Sequence, residues 1–258
     1  MSLKRFCSIL LYFLTAASCS VKENRDVCPC HLVLDVSEVD PSRIQSAELC
    51  VSQKEETVWK DTLVYGAVGD SYFAAVPRAE LHVSVWSVID GFSFDDGLEI
   101  PLGDDCPEIY MYDSDIRCYG EEVVEKVVMR KNYCVMTIMT EQETRFPHQM
   151  KIVSNVSGYD TEGRPLSGTF EYLLNENRYD DGWKVILPRQ KDDSLALIID
   201  DGKGTVKSFS LGHYIVSSGF DWNSPDLEDV VVALDYALTE VTIRLEGWDS
   251  VFTYKVEI

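Results

Sequence analysis

The chain has 258 residues, 45% hydrophobic and 26% charged, which is enough apolar material for one large or two ordinary domains and too much for wholesale disorder. Lysine and arginine number 23 against 44 aspartates and glutamates, a formal charge of −21 that argues against nucleic acid as a partner and against a bare anionic lipid surface. No apolar run reaches the roughly 18 residues a membrane-spanning helix needs.

Residues 1–18 read as a secretory signal peptide. Lys4 and Arg5 supply the positive start, residues 6–14 the short apolar stretch, and Thr15-Ala16-Ala17-Ser18 the small residues that a signal peptidase accepts. Cys19 follows directly, an arrangement that resembles a bacterial lipobox, in which the cysteine becomes the acylated first residue. An ordinary signal followed by a chance cysteine is the competing reading. Removal of residues 1–18 takes away two cations and no anions, so the charge becomes −23. Residues 19–27 are polar and suit a tether between lipid and fold.

Of eight cysteines, Cys7 leaves with the signal and Cys19 would carry lipid. Cys28, Cys30, Cys50, Cys106, Cys118 and Cys134 remain, an even set that in an exported chain points to as many as three disulfides. Cys28 and Cys30, separated only by Pro29, are too close to bond to each other easily. Cys106 with Cys118, around a loop, is the expected pair. Zinc is the alternative reading, but Cys28-Pro29-Cys30 lacks the C-x₂-C spacing of zinc knuckles, and no metal is expected.

Beyond the tether, period-2 alternation is widespread and helical periodicity scarce. Strands are expected over 31–36, 47–51, 57–65, 72–77, 80–88, 98–102 and 122–129. They continue over 134–140, 150–155, 169–174, 183–188, 195–199, 206–211, 230–234, 240–245 and 251–258. Residues 227–238 also fit a short helix through Leu227, Val231, Leu234 and Leu238. The order repeats. Each half runs through a strand, a short connection, two more strands, a strand ending in proline (Pro77, Pro188) and another strand. This predicts an all-β chain of two tandem β-sandwich domains, one over 28–130 and one over 131–258, with the boundary at Arg130-Lys131-Asn132.

Asp-Asp-Gly occurs at 95–97, 180–182 and 200–202 and reads as tight turns, because Asp-Gly supplies the positive φ a hairpin demands. A calcium loop needs a longer D-x-[DN]-x-[DN]-G pattern, and the nearest approach, Asp113-Ser114-Asp115, continues wrongly with Arg117 and Cys118. His31, His82, His148 and His213 are scattered, and no nucleophile elbow, zinc-protease helix, phosphate loop or dinucleotide loop is present. Neither enzymatic activity nor a cofactor is expected. Trp59, Trp86, Trp183, Trp222 and Trp248 are expected mostly in the cores, with a sugar-stacking platform as the alternative.

The run Arg25-Asp26-Val27-Cys28-Pro29-Cys30-His31-Leu32-Val33-Leu34-Asp35-Val36-Ser37, placed after the lipobox and tether, resembles the fimbrillin-A-associated anchor lipoproteins of the Bacteroidota, the FimB-like minor fimbrial subunits. The loop Gly158-Tyr159-Asp160-Thr161-Glu162-Gly163-Arg164-Pro165-Leu166-Ser167-Gly168 is also similar, and the layout matches over nearly the whole chain. The resemblance implies transthyretin-like sandwiches, a lipid on Cys19, a place at the cell surface in the outer membrane, and the task of holding a fimbrial stalk there. Fimbrial stalk subunits would then be the partners, joined by strand addition, in which an extended segment completes a neighbour's sheet. Phe252, Tyr254, Val256 and Ile258 share one face of the last strand and are the candidates for that exchange; pairing within its own sandwich is the alternative. A surface adhesin or glycan-binding lipoprotein, as a tip or accessory subunit, is the second expectation.

Overall fold

The computed structural model describes residues 28–54, 56–89, 93, 96–140, 149–174, 178–179, 182–200, 202, 206–235, 240–245 and 251–255. Strands β1 (Cys30–Asp35), β2 (Ser46–Gln53), β3 (Glu56–Val64), β4 (Ser71–Val76) and β5 (Glu80–Ser87) open the first sandwich. A two-residue β6 (Leu98–Glu99), then β7 (Tyr110–Arg117), β8 (Glu122–Lys126) and β9 (Arg130–Lys131) follow. The second sandwich holds β10 (Tyr133–Thr140), β11 (Gln149–Tyr159), β12 (Pro165–Leu173), β13 (Arg178–Tyr179), β14 (Gly182–Pro188), β15 (Ala196–Asp200) and β16 (Val206–Phe209). Helix α1 (Leu211–Ser217) precedes β17 (Val230–Leu234), β18 (Glu240–Leu245) and β19 (Val251–Lys255).

Alternation decides which side of each strand is buried. On β2, Ala47, Leu49 and Val51 are almost fully buried, as their period-2 spacing predicts. Leu32 and Leu34 do the same on β1, and Met136 and Ile138 on β10. The first sandwich faces a three-stranded sheet, β4-β1-β8, with a five-stranded one, β3-β2-β5-β7-β9. The second faces β13-β14-β10-β17-β18-β19 with β12-β11-β15-β16.

The predicted repeat is visible in the ladders. β1 pairs antiparallel with β4 and parallel with β8; β10 pairs antiparallel with β14 and parallel with β17. β2 lies between β3 and β5, as β11 lies between β12 and β15. β5 continues to β7, as β15 continues to β16. The second copy differs by adding β18 and β19 beyond β17.

Two elements differ from the sequence reading. β7 was not expected: in Tyr-Met-Tyr-Asp-Ser-Asp-Ile-Arg only Met111 and Ile116 are buried, five apart, so no alternation shows. Helix α1 was read as the end of a strand and connection; it is only seven residues long, too short for a periodic signal, and buries Leu211, Gly212 and Ile215. Residues 230–234 form the expected strand and not the alternative helix, because β17 is wedged between β10 and β18 and both ladders demand extended backbone.

The largest difference lies in the cores. One core is built from β1–β5 with Ile116, Cys118 and Val127. The other contains the second-sandwich strands and also Trp86, Leu98, Ile100, Cys106, Ile109 and Met111. The β5–β7 connection therefore leaves the first sandwich and packs on the second. β6 pairs with the end of β11, the Ile100 amide donates to the Ser157 carbonyl (2.7 Å), Gly103 to Glu171 (2.8 Å) and Cys106 to Ile186 (3.0 Å). A boundary at residue 130 leaves this crossing out of account, since the residues are first-half in sequence and second-half in packing.

Each Asp-Asp-Gly glycine has positive φ: 76° at Gly97, 130° at Gly182 and 69° at Gly202. At the last, the Gly202 amide donates to the Asp200 carboxylate at 2.7 Å, a turn closed by its own aspartate. Asp113-Ser114-Asp115 lies within β7. Trp86, Trp183 and Trp222 are core residues. Trp59 is half-buried and donates to the Tyr72 hydroxyl at 3.0 Å, and Trp248 lies outside the described residues. His31 is exposed, His82 pairs with Asp115 at 3.0 Å, His213 lies on α1, and His148 is outside the described residues.

Candidate docking edge and the domain junction

Among the expected strand-exchange residues, Phe252 and Tyr254 lie on β19; Val256, Ile258 and the lipid candidate Cys19 are outside the described residues. β19 is the last strand of its sheet, and its five residues register with Arg244 back to Glu240 on β18. Phe252 stands opposite Ile243 and Tyr254 opposite Val241, both fully buried, so the two aromatics continue the core face to the rim, where they are half-buried. Tyr254 stacks on Tyr214 of α1, with ring centroids 5.0 Å apart and planes 23° apart, and its hydroxyl is 3.0 Å from Ser218 Oγ. The strand is thus paired internally along one side. Its other side carries no partner strand among the described residues. Such an edge presents unpaired backbone groups and can accept or become an added strand.

The cysteines divide between the two cores. Cys30 and Cys118 are fully buried in the first, and Cys106 and Cys134 in the second. The expected Cys106–Cys118 pair is therefore not brought together, because the β5–β7 connection carries Cys106 into the other sandwich. Cys50 faces away from the core and lies 3.8 Å from Thr57 Oγ1, and Cys28 is exposed. Burial pushes the Cys106 and Cys134 thiols well above the usual range.

The loop Asp160–Arg164 between β11 and β12 reaches back to the first half of the chain. Tyr159, fully buried at the end of β11, stands edge-on to Trp86, centroids 6.4 Å apart. Its hydroxyl donates to the Asn132 carbonyl and accepts the Arg189 amide at 2.7 Å. Asn132 sits in the two-strand linker between β9 and β10. Its side-chain amide donates to Met111 Sδ at 2.7 Å, and its side-chain oxygen accepts Arg189 Nε at 2.5 Å. Arg189 Nη1 donates to the carbonyls of Trp222 and Ser224. At Gly163 a Cβ would fall 1.8 Å from Met111 Cε, so the loop lies directly on that side chain. Asp160 ties the loop: it accepts the amides of Glu162 (3.0 Å) and Arg164 (2.9 Å) and the Arg164 guanidinium (2.9 Å). Burial raises its pKa, but these donors outweigh that and hold the carboxyl below the usual value.

The linker is gripped from the other side as well. Asp226 accepts the Lys131 amide and the Arg130 guanidinium, each at 2.9 Å, while Asp229 accepts the Val135 amide (2.7 Å) and Lys131 Nζ (2.5 Å). A cleft of about 570 Å³ remains at this junction, lined by Tyr112, Asp113, Arg130, Arg164, Arg189 and Asn223, among others. Sequence reasoning pointed at the loop through its resemblance but not at Arg189 or Asn132, whose roles depend on the contact between the two halves.

Two β-sandwiches of one wiring, joined through a clamped linker and a shared segment, define the chain as a tandem-sandwich protein whose last strand, β19, has one side unpaired among the described residues. The sequence matches no family model and no curated protein at a significant level. Its fold is similar to that of a candidate polysaccharide-binding protein from Bacteroides thetaiotaomicron, with a TM-score of 0.63 at 11% identity over 88% of this chain and 98% of the other. It is also similar to a candidate adhesin from Bacteroides ovatus (TM-score 0.59, 13% identity, 91% and 97%). The fimbrial anchor protein Mfa2 from Porphyromonas gingivalis shares the fold too (TM-score 0.59, 10% identity, 86% and 98%).

Proposed function

We propose that the chain is a fimbrial anchor of the outer membrane, held by lipid on Cys19 and joined to the first stalk subunit by strand addition at β19. The observation that carries the reading is the edge itself: among the described residues β19 ends its sheet with one side unpaired, and Phe252 and Tyr254 give it an apolar face continuous with the core. An added strand would gain main-chain hydrogen bonds along β19 and cover that half-exposed row. The tandem-sandwich architecture shared with Mfa2 supports the same reading. A load-bearing role suits a linker held on both sides. One acyl chain binds a membrane only reversibly, so the several chains of a lipoprotein are needed for firm attachment.

The test removes residues 251–258. Cells making the truncated chain should keep it lipidated in the outer membrane and shed fimbriae into the medium. Fimbriae retained at the wild-type level would refute the reading. Because loss of β19 also uncovers Val241 and Ile243, Val251→Lys, on the exposed face of the strand, serves as a second variant that keeps the core intact. The cleft at the junction favours a second reading, a glycan-binding accessory subunit, which predicts binding on a glycan array that Arg164→Ala weakens.

A further inference from the structure

We propose that Cys30 and Cys118 form a disulfide in the exported protein, stapling the two sheets of the first sandwich together at the corner where the chain enters it. Cys30 opens β1, the middle strand of the three-stranded sheet, and Cys118 directly follows β7 of the facing sheet. Cys30 registers with Val76, the last residue of β4, and the Cys118 amide donates to the Ala79 carbonyl at 2.8 Å. Only Pro77 and Arg78 separate those two contacts, so the turn between β4 and β5 brings both cysteines to one place. Both side chains are fully buried in the same core. Burial, with the Cys30 sulfur beside it, pushes the Cys118 thiol up to about 12.

Among the described residues no other cysteine competes for either sulfur. Cys28 is exposed, Cys50 points away from the core beside Lys60 and Ser84, and Cys106 and Cys134 belong to the other core. The oxidant is a disulfide-bearing thiol oxidase of the export compartment. The thiolate of one cysteine attacks that disulfide, forming a mixed disulfide and releasing one oxidant sulfur. The thiolate of the second cysteine then attacks the first cysteine's sulfur and releases the other. Two protons and two electrons pass to the oxidant, which leaves as a dithiol. Exchange needs an accessible thiolate, so the bond forms before the core closes over the pair.

The mechanical consequence rests on the anchoring reading; the bond does not. Load arriving along the N-terminal segment meets β1 first, and the staple passes it to the five-stranded sheet instead of leaving β1 held by β4 and β8 alone.

The experiment uses the full-length chain from cells quenched in acid, then denatured near neutral pH without reductant in excess N-ethylmaleimide so that every free thiol is exposed and capped, digested and mapped by mass spectrometry. The expected result is a Cys30–Cys118 linked peptide pair that disappears on reduction. Reductant should also lower the melting temperature by on the order of 10 °C, given a closed loop spanning most of the sandwich. Maleimide on both cysteines of the wild-type chain, or either bonded to a different cysteine, overturns the proposal. The wild-type map decides this without any variant. Fimbrial retention is scored on the same cells: a linked pair in cells whose β19-truncated chain still retains fimbriae refutes the anchor and leaves the staple standing.

Discussion

Replacing Tyr159 by Phe tests the junction with almost no change in volume. The ring would keep its place in the core and its edge-on contact with Trp86. What disappears is one hydroxyl that serves two backbone groups, the Asn132 carbonyl and the Arg189 amide. Tyr159 is 0% exposed, so water has no easy route to replace it. A buried backbone group left without a partner costs about 1–3 kcal/mol, and two such groups give about 2–6 kcal/mol for the substitution. In guanidinium chloride, with a slope of about 4 kcal/mol per M for a unit of this size, the midpoint should fall by about 0.5–1.5 M. Equilibrium unfolding followed by tryptophan fluorescence reads this directly, since Trp86, Trp183 and Trp222 all lie in the same core. A shift below about 0.1 M would mean that the hydroxyl does not bridge the linker and β14, and the account of the junction would fail.

Gly158→Ala should detach the β5–β7 connection, because the new Cβ would fall 1.9 Å from the Leu98 carbonyl oxygen; we expect a loss above about 3 kcal/mol and early proteolytic cleavage within 88–109. Asp160 has a lowered pKa in the fold, so its contribution is present above its unfolded value near 3.8 and is lost as the pH falls through the still lower folded value. Asp160→Asn should therefore melt below wild type at pH 7, and the gap should narrow below about pH 4; a gap independent of pH would remove the carboxylate from the account. In the folded, reduced protein, Cys106 and Cys134 should resist alkylation while Cys28 reacts within minutes, as thiol-labelling kinetics will show, because burial suppresses both access and thiolate.

The fold was readable where burial is one-sided. β1, β2 and β10 alternate cleanly, and the proline-ended strands β4 and β14 occupy equivalent places beside β1 and β10. β7 was not readable, because its exposed face carries Asp113, Asp115 and Arg117 and its rim tyrosines are only half-buried. Nor was the crossing at 98–109, since Leu98, Ile100 and Ile109 look like any apolar residues of a connection and nothing local says which core receives them. The face shared by Phe252 and Tyr254 was legible from spacing alone. The meeting of Cys30 and Cys118 at one corner of the core was not, since it depends on a turn at Pro77–Ala79 remote from both in sequence.

The segment from Leu98 to Ile109 also constrains how the protein can be made. Its resting places on β11, β12 and β14 are synthesised some fifty to eighty residues later, so the leading half is made with Leu98, Ile100 and Ile109 uncovered. The leading sandwich cannot mature as an independent bead, and a fragment cut at residue 130 would carry an adhesive apolar flap. Evolution can lengthen or trim the outer strands of such a chain, but it cannot exchange one half without rebuilding the other.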